Sequence, residues 1–250
     1  GSHLSISGGM EHALLEAESL EMDCLQVFTK NQRQWKVKPL TKAAKESWCS
    51  ELKRIGWHNT NRIISHNSYL INMANPNAEL RKKSINLQIV EMERCEALGI
   101  PFCVAHPGAR LGTPRKRSDV NQLDTPPSKE EEEGLGRIVK SLDEIHSSLK
   151  GYKTRICLET TVGSGTNLGY SFIHLGWIKS NVKEPERVGY CFDTCHVTAS
   201  GYDMSTESKA KSVLSNFDQN AGLKFIDVFH FNDSVGEIGS RVDRHAHIGS

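Results

Sequence analysis

Eight side chains able to bind a metal sit at or just after the ends of apolar runs. His66, His106, Glu159, Asp193 and His230 each close such a run, and His196, Asp243 and His245 follow shortly after. Asp193-Thr194-Cys195-His196 sets a carboxylate and an imidazole three residues apart. Asp243-Arg244-His245 is a D-x-H, in which alternate residues of an extended segment face the same way. Brought together without compensation, these groups would repel one another or lose solvation at high cost. Divalent cations supply the missing charge. Mixed imidazole and carboxylate ligation suits Zn²⁺, with Mn²⁺ or Fe²⁺ as the alternatives. With a carboxylate able to bridge, eight ligands serve two or three ions. One histidine at a strand end is more often a packed residue than a ligand; five sharing one mouth are not.

The elements that must carry these residues are legible as a repeat. Short β-branched or apolar runs lie at 25–28, 63–65, 102–105, 155–158, 188–192 and 226–231. Amphipathic stretches lie between them, at 10–22, 41–55, 77–98, 129–149, 171–180 and 206–221. Alternation of strand and helix implies βαβ units on a parallel sheet. The run ends Thr29, His66, His106, Glu159, Asp193 and His230 are spaced by 37, 40, 53, 34 and 37 residues. The long interval holds 112–128, rich in Pro, Ser, Arg and Lys, which reads as a surface-loop insertion. Without it the unit length is nearly constant, which favours a single barrel of repeated βα units over 1–250. In such a barrel all strand ends converge on one mouth. The first strand is expected at or before Gly1 and the last beyond Ser250. The barrel is therefore expected to lack part of its first strand and its final βα unit, as if truncated at the C-terminus.

The 250 residues are 37% hydrophobic and 24% charged, ordinary for a globular chain. The formal net charge is +1, so no global basic field exists and polyanion binding must come from local clusters and bound cations. Seven cysteines form no C-x-x-C pair, which points to a reducing, intracellular compartment: nucleus or cytoplasm, with the mitochondrion also open. Cys191 and Cys195 are expected to pack rather than ligate. No apolar run approaches the ~18 residues of a membrane span. His12, His58, His146, His174 and His247 read as surface or packing residues. His3, ending the first strand, reads as a hydrogen-bond donor behind the ligands. The run 130–133 is a solvated acidic face at a helix N-terminus, and Arg115-Lys116-Arg117 reads as a mobile loop.

Two segments speak to a substrate. Residues 28–35, Phe-Thr-Lys-Asn-Gln-Arg-Gln-Trp, mix cations, amides and aromatics after a strand end, and Ser68-Tyr69-Leu70 follows the strand of His66. Arg and Lys position phosphates, and Tyr and Leu stack on or wedge between bases. Together with Gly1-Ser2-His3-Leu4-Ser5, His106-Pro107-Gly108, Glu159-Thr160, Gly165-Thr166-Asn167-Leu168-Gly169 and the stretch 240–249, these motifs run from end to end of the chain. In that combination the chain resembles the endonuclease IV-type apurinic/apyrimidinic endonucleases of the xylose isomerase-like TIM barrel superfamily.

The resemblance implies a (β/α)8 TIM barrel with three zinc ions. It implies a DNA-repair endonuclease that hydrolyses the phosphodiester 5′ to abasic sites in double-stranded DNA by a multinuclear zinc-hydroxide mechanism, and trims 3′ ends. By motif, His66, His106 and Glu159 would hold one zinc. Glu159, the catalytic bridge, would share a second with Asp193 and His230. His196, Asp243 and His245 would hold the third. Lys30, Arg33, Tyr69 and Leu70 would touch DNA. The implied protein is a monomer with no membrane partner. The resemblance also implies a last zinc ligand, a Glu on the final strand, with no counterpart in these 250 residues. Two further readings follow: a metal-dependent sugar isomerase on the same barrel, and a catalytically impaired, zinc-loaded DNA-binding barrel.

Overall fold

The computed structural model describes residues 1–115 and 123–249. Its elements run β1 (Ser2–His3), α1 (Glu11–Ser19), β2 (Leu25–Val27), α2 (Lys42–Arg54), β3 (Ile63–His66), α3 (Ala78–Leu98), β4 (Phe102–Ala105), β5 (Gly108–Ala109), α4 (Lys129–Ser148) and β6 (Arg155–Glu159). They continue as β7 (Asn167–Leu168), α5 (Phe172–Asn181), β8 (Val188–Asp193), α6 (Thr194–Ser200), α7 (Glu207–Asn220), β9 (Ile226–His230), β10 (Asp233–Ser234) and β11 (His245–Ala246). Seven strands form one parallel sheet in the order β1-β2-β3-β4-β6-β8-β9. The sheet curls so that β9 approaches β4 and β6. The first strand, expected at or before Gly1, is present as Ser2–His3, and β1 and β9 are the two edges. The six apolar runs and six amphipathic stretches all became the expected elements.

The packing explains where the ligands go. Strand side chains alternate between faces. Phe102, Val104, Cys157, Cys191 and Val228, with Ile64 against them, form a small cluster inside the curl. Their neighbours Cys103, Ala105, Ile156, Leu158, Tyr190 and Phe192 belong to the larger core beneath the helices. The inward register runs on by two residues from Ile64 to His66, Val104 to His106, Cys157 to Glu159, Cys191 to Asp193 and Val228 to His230. Five ligand candidates therefore point to the barrel axis, one step above an apolar plug.

Local signals fix the helices. Thr41, Asn77, Ser128 and Thr206 each accept a backbone N–H at a helix start, and Ser128 with Glu131 forms a full capping box. Gly99 ends α3 in the left-handed region. Among the described residues no helix is long and apolar enough to cross a membrane. Of the Arg115-Lys116-Arg117 run, only Arg115 lies within the described residues, where its guanidinium stands 3.4 Å over the Tyr170 ring. Residues 116–122 of the 112–128 insertion lie outside them.

Candidate metal centre

Glu159 is the hub of the mouth. It is 1% exposed, and both of its oxygens face imidazoles. Oε2 lies 3.1 Å from His66 Nε2 and 2.9 Å from His106 Nε2, and Oε1 lies 2.7 Å from His230 Nδ1 and 3.5 Å from His196 Nδ1. Burial would raise its pKa, but the charge of His106 and hydrogen bonds from His106, His230 and His66 hold it well below the carboxylate range.

Asp193 is fully buried beside it. A bulge between Tyr190 and Cys191 brings Asp193 level with His230 on the neighbouring strand. One oxygen caps α6 by accepting the His196 N–H at 2.9 Å. The other lies 3.4 Å from His230 Nδ1 and 3.5 Å from His245 Nε2. That cap makes α6, a short helix that the strand–helix repeat did not anticipate. It also places His196, whose Nε2 is 3.2 Å from Asp243. The D-x-H segment arrives on a small antiparallel ribbon, with Ser234 paired to His245, which sets Asp243 and His245 3.7 Å apart.

The structure thus gathers all eight predicted ligand residues. Donor atoms of His66, His106 and Glu159 lie within 4.8 Å of one another, as do those of His196, Asp243 and His245. Glu159 and Asp193 share such a group with His196, and Glu159 also shares one with Cys191 and His230. Cys195 falls in a further group with Asp193 and His245. Both thiols are buried, and burial pushes Cys191 up to about 12 and Cys195 up to about 11.

Several imidazoles have one nitrogen tied back and the other turned to carboxylates. His66 Nδ1 donates to the Asn67 carbonyl (2.9 Å), and His196 Nδ1 donates to the Thr160 carbonyl (2.8 Å). The remaining nitrogen then presents a lone pair to a carboxylate oxygen about 3 Å away, which is repulsive unless a proton or cation stands between them. Protons serve in the metal-free chain. His196 is held at about 9: burial opposes its charge, but the hydrogen bond to Asp243 and the charges of Glu159, Asp193 and Asp243 outweigh it. His230 is raised further, against burial, by Cys191, Asp193 and Glu159. Hydrogen bonding to His196 lowers Asp243. Buried carboxylates between oriented imidazoles form a donor set that fits zinc.

The mouth opens into a cavity of about 800 Å³ that also reaches His3, Gln26 and Tyr69. Tyr69 is 66% exposed at its rim, with its ring 5.8 Å from those of Phe28 and His66. Asn72 fixes this rim. Its side chain donates to and accepts from Ala109, and a Cβ on Gly108 (φ 125°) would meet Asn72 Oδ1 at 2.5 Å. Arg33 is exposed on the neighbouring loop.

Three expectations need correction. Lys30, expected on phosphates, is 7% exposed; its ammonium pairs with buried Glu91 at 3.2 Å and donates to the carbonyls of Asn31 and Gln34. It anchors its own loop rather than standing free in solvent. Leu70, expected beside Tyr69 as a wedge, is half-buried against the core. His3 makes no direct bond to a ligand; its Nδ1 accepts from Gln26, whose Oε1 in turn lies 2.8 Å from His230 Nε2. Gln26 and Glu91 were missed. A glutamine inside the apolar run Leu25-Gln26-Val27 was the one signal for Gln26. Glu91, 62 residues from Thr29, had none.

Comparison with known proteins agrees with this geometry. The profile of the xylose isomerase-like TIM barrel family matches residues 14–250. A probable endonuclease 4 of Chloroflexus aurantiacus is 41% identical over 249 residues, covering 100% of this chain and 81% of the relative. The crystal structure of endonuclease IV from Thermus thermophilus superposes with a TM-score of 0.80 at 30% identity, covering 99% of this chain and 81% of that one. A D-tagatose 3-epimerase-like protein superposes at 0.70 with 18% identity, a likeness of fold alone.

Proposed function

The chain belongs to the endonuclease IV family of xylose isomerase-like TIM barrels, and from that premise we propose that it hydrolyses the phosphodiester backbone of duplex DNA on the 5′ side of abasic sites and trims blocked 3′ ends. The observation that carries this reading is the convergence of five imidazoles and three carboxylates on one mouth, with Glu159 between two pairs of histidines.

His66, His106 and Glu159 would hold one zinc, Glu159, Asp193 and His230 a second, and His196, Asp243 and His245 a third. When bound, zinc supplies a nucleophilic water at neutral pH and neutralises charge on the phosphate and the leaving 3′-oxygen. The chain's own residues do the rest. Glu159 carries the negative charge that draws the imidazole sets together, and its burial excludes bulk water from the hub. Asp193 orients α6 and so the face of His196. Asp243 and His245 are half-exposed at the lip, where a phosphate can approach. Tyr69 offers an exposed ring to the gap of a missing base, and Arg33 offers a charge to a phosphate. The protein acts as a monomer on this reading. A sugar isomerase finds support only in likeness of fold, whereas the 41%-identical relative is a probable endonuclease 4.

The test is incision of an end-labelled duplex with one abasic site, with product ends mapped. Cleavage 5′ to the lesion, leaving a 3′-hydroxyl, is expected. An intact duplex in the presence of zinc-loaded protein would reject the reading.

A further inference from the structure

Gln26 lies on β2, facing inward between the two edge strands of the curl. Its amide is held at both ends. Nε2 donates to His3 Nδ1 at 3.0 Å on one edge, and Oε1 faces His230 Nε2 at 2.8 Å on the other. Because β1 and β9 share no ladder, His3, Gln26 and His230 form a polar chain across that seam. Beyond it, His230 Nδ1 meets Glu159 at 2.7 Å and Asp193 at 3.4 Å.

We propose that Gln26 is a positioning residue that sets the tautomer of His230, so that Nδ1 and not Nε2 is presented to a metal. A primary amide has one accepting and one donating end. With the donating end committed to His3, only the accepting oxygen remains for His230. That oxygen requires a proton on Nε2. The proton leaves the Nδ1 lone pair free between Glu159 and Asp193, which is where a ligand nitrogen must be. His66 and His196 obtain the same orientation from the backbone carbonyls of Asn67 and Thr160. His230 ends an edge strand, and its outer nitrogen is served by this side chain instead. A partner that fixes the outer nitrogen of a ligating imidazole is worth about 10–100-fold in metal affinity.

The inference rests on the zinc reading above, and two variants test it. Gln26→Leu keeps the volume and removes the acceptor. Gln26→Glu keeps an acceptor for His230 and removes the donor to His3. Zinc affinities are measured by chelator competition, and two-bond ¹H–¹⁵N spectra of the zinc-loaded proteins read which nitrogen of His230 carries the proton. Wild type and Gln26→Glu are expected to show protonated Nε2. Gln26→Leu is expected to bind one zinc about 10–100-fold more weakly and to lose that pattern. Unchanged affinity and an unchanged His230 pattern in Gln26→Leu, with at most a lower melting temperature, would reduce Gln26 to a strut and overturn the proposal alone. Wild-type protein that takes up no zinc would overturn the metal reading, and this proposal with it.

Discussion

In the helical layer, His146 and His174 are buried; at the barrel mouth, His196 is buried as deeply and His230 is half-buried, both among carboxylates. The two settings drive the imidazole in opposite directions. Burial brings His146 and His174 down to about 4, with the nearby Arg187 adding to the fall for His146, so both are neutral. His196 is held at about 9 and His230 is raised further, because the carboxylates around them outweigh the same cost of burial. Burial by itself therefore makes a quiet histidine. The mouth differs in concentrating negative charge where nothing apolar requires it, and that surplus is the mark of a cation site.

Removing the hub should separate the two regions most sharply. Glu159→Gln is expected to lower incision by about 10³-fold or more while leaving the circular dichroism spectrum intact. His146→Leu, equally buried, is expected to leave incision within about twofold, since it touches no reacting group. Near-equal effects on incision would erase the distinction between the regions.

The Lys30–Glu91 pair tests whether any buried charge behaves like the hub. Lys30→Met strands a buried carboxylate and should cost about 3–5 kcal/mol of stability, read by denaturant unfolding. The double variant Lys30→Met/Glu91→Leu should recover most of that loss, because an apolar pair of similar volume can replace a structural ion pair. No apolar replacement at Glu159 should recover incision. A double variant no more stable than Lys30→Met would contradict the purely structural role of this pair.

The opposite shifts also predict opposite pH limbs in the metal-free protein. His146 titrates at about 4 when folded and near 6.5 unfolded, so its contribution is present above pH 6.5 and is lost as the pH falls towards 4. The loss is on the order of 3 kcal/mol. Among the described residues neither of its ring nitrogens has a hydrogen-bond partner, so His146→Leu should flatten the acid limb at little cost at pH 7. For His196, at about 9 when folded, the contribution is present below pH 6.5 and is lost as the pH rises through 9. Asp243→Asn should weaken that alkaline limb. Urea melts across pH 4–10 read both, and an unchanged acid limb in His146→Leu would break the comparison.

The smallest effect concerns the rim. Arg33→Ala should lower the slope of log affinity for duplex DNA against log salt by about 0.9, as one lost phosphate contact does. The same change at Arg187, deep in the helical layer with its guanidinium on the carbonyls of His146 and Leu149, should leave the slope alone.

How far the sequence could be read follows from the same contrast. Five of the eight ligand candidates were visible because strand parity is local: a residue two beyond an inward apolar side chain must also face inward. His196, Asp243 and His245 were visible through the Asp193-Thr194-Cys195-His196 and D-x-H spacings. The helix α6 was hidden because Thr-Cys-His-Val-Thr-Ala-Ser has no strong helical preference, and it forms on the cap that Asp193 provides. Lys30 was misread because a lysine after a strand is usually solvated. Its burial depends on Glu91, brought from a distant helix by tertiary packing alone. Leu70 looked like a partner for Tyr69, but its direction is decided by the core beneath the loop. Gln26 was legible only as a polar break in an apolar strand, and its meaning needed β9 across the seam.

The most direct test of the central claim is anomalous diffraction at the zinc absorption edge from crystals of the zinc-loaded chain. The account predicts peaks at the mouth: one beside His66, His106 and Glu159, one beside Asp193 and His230, and one beside His196, Asp243 and His245. A mouth without anomalous density in protein that carries zinc elsewhere would contradict it.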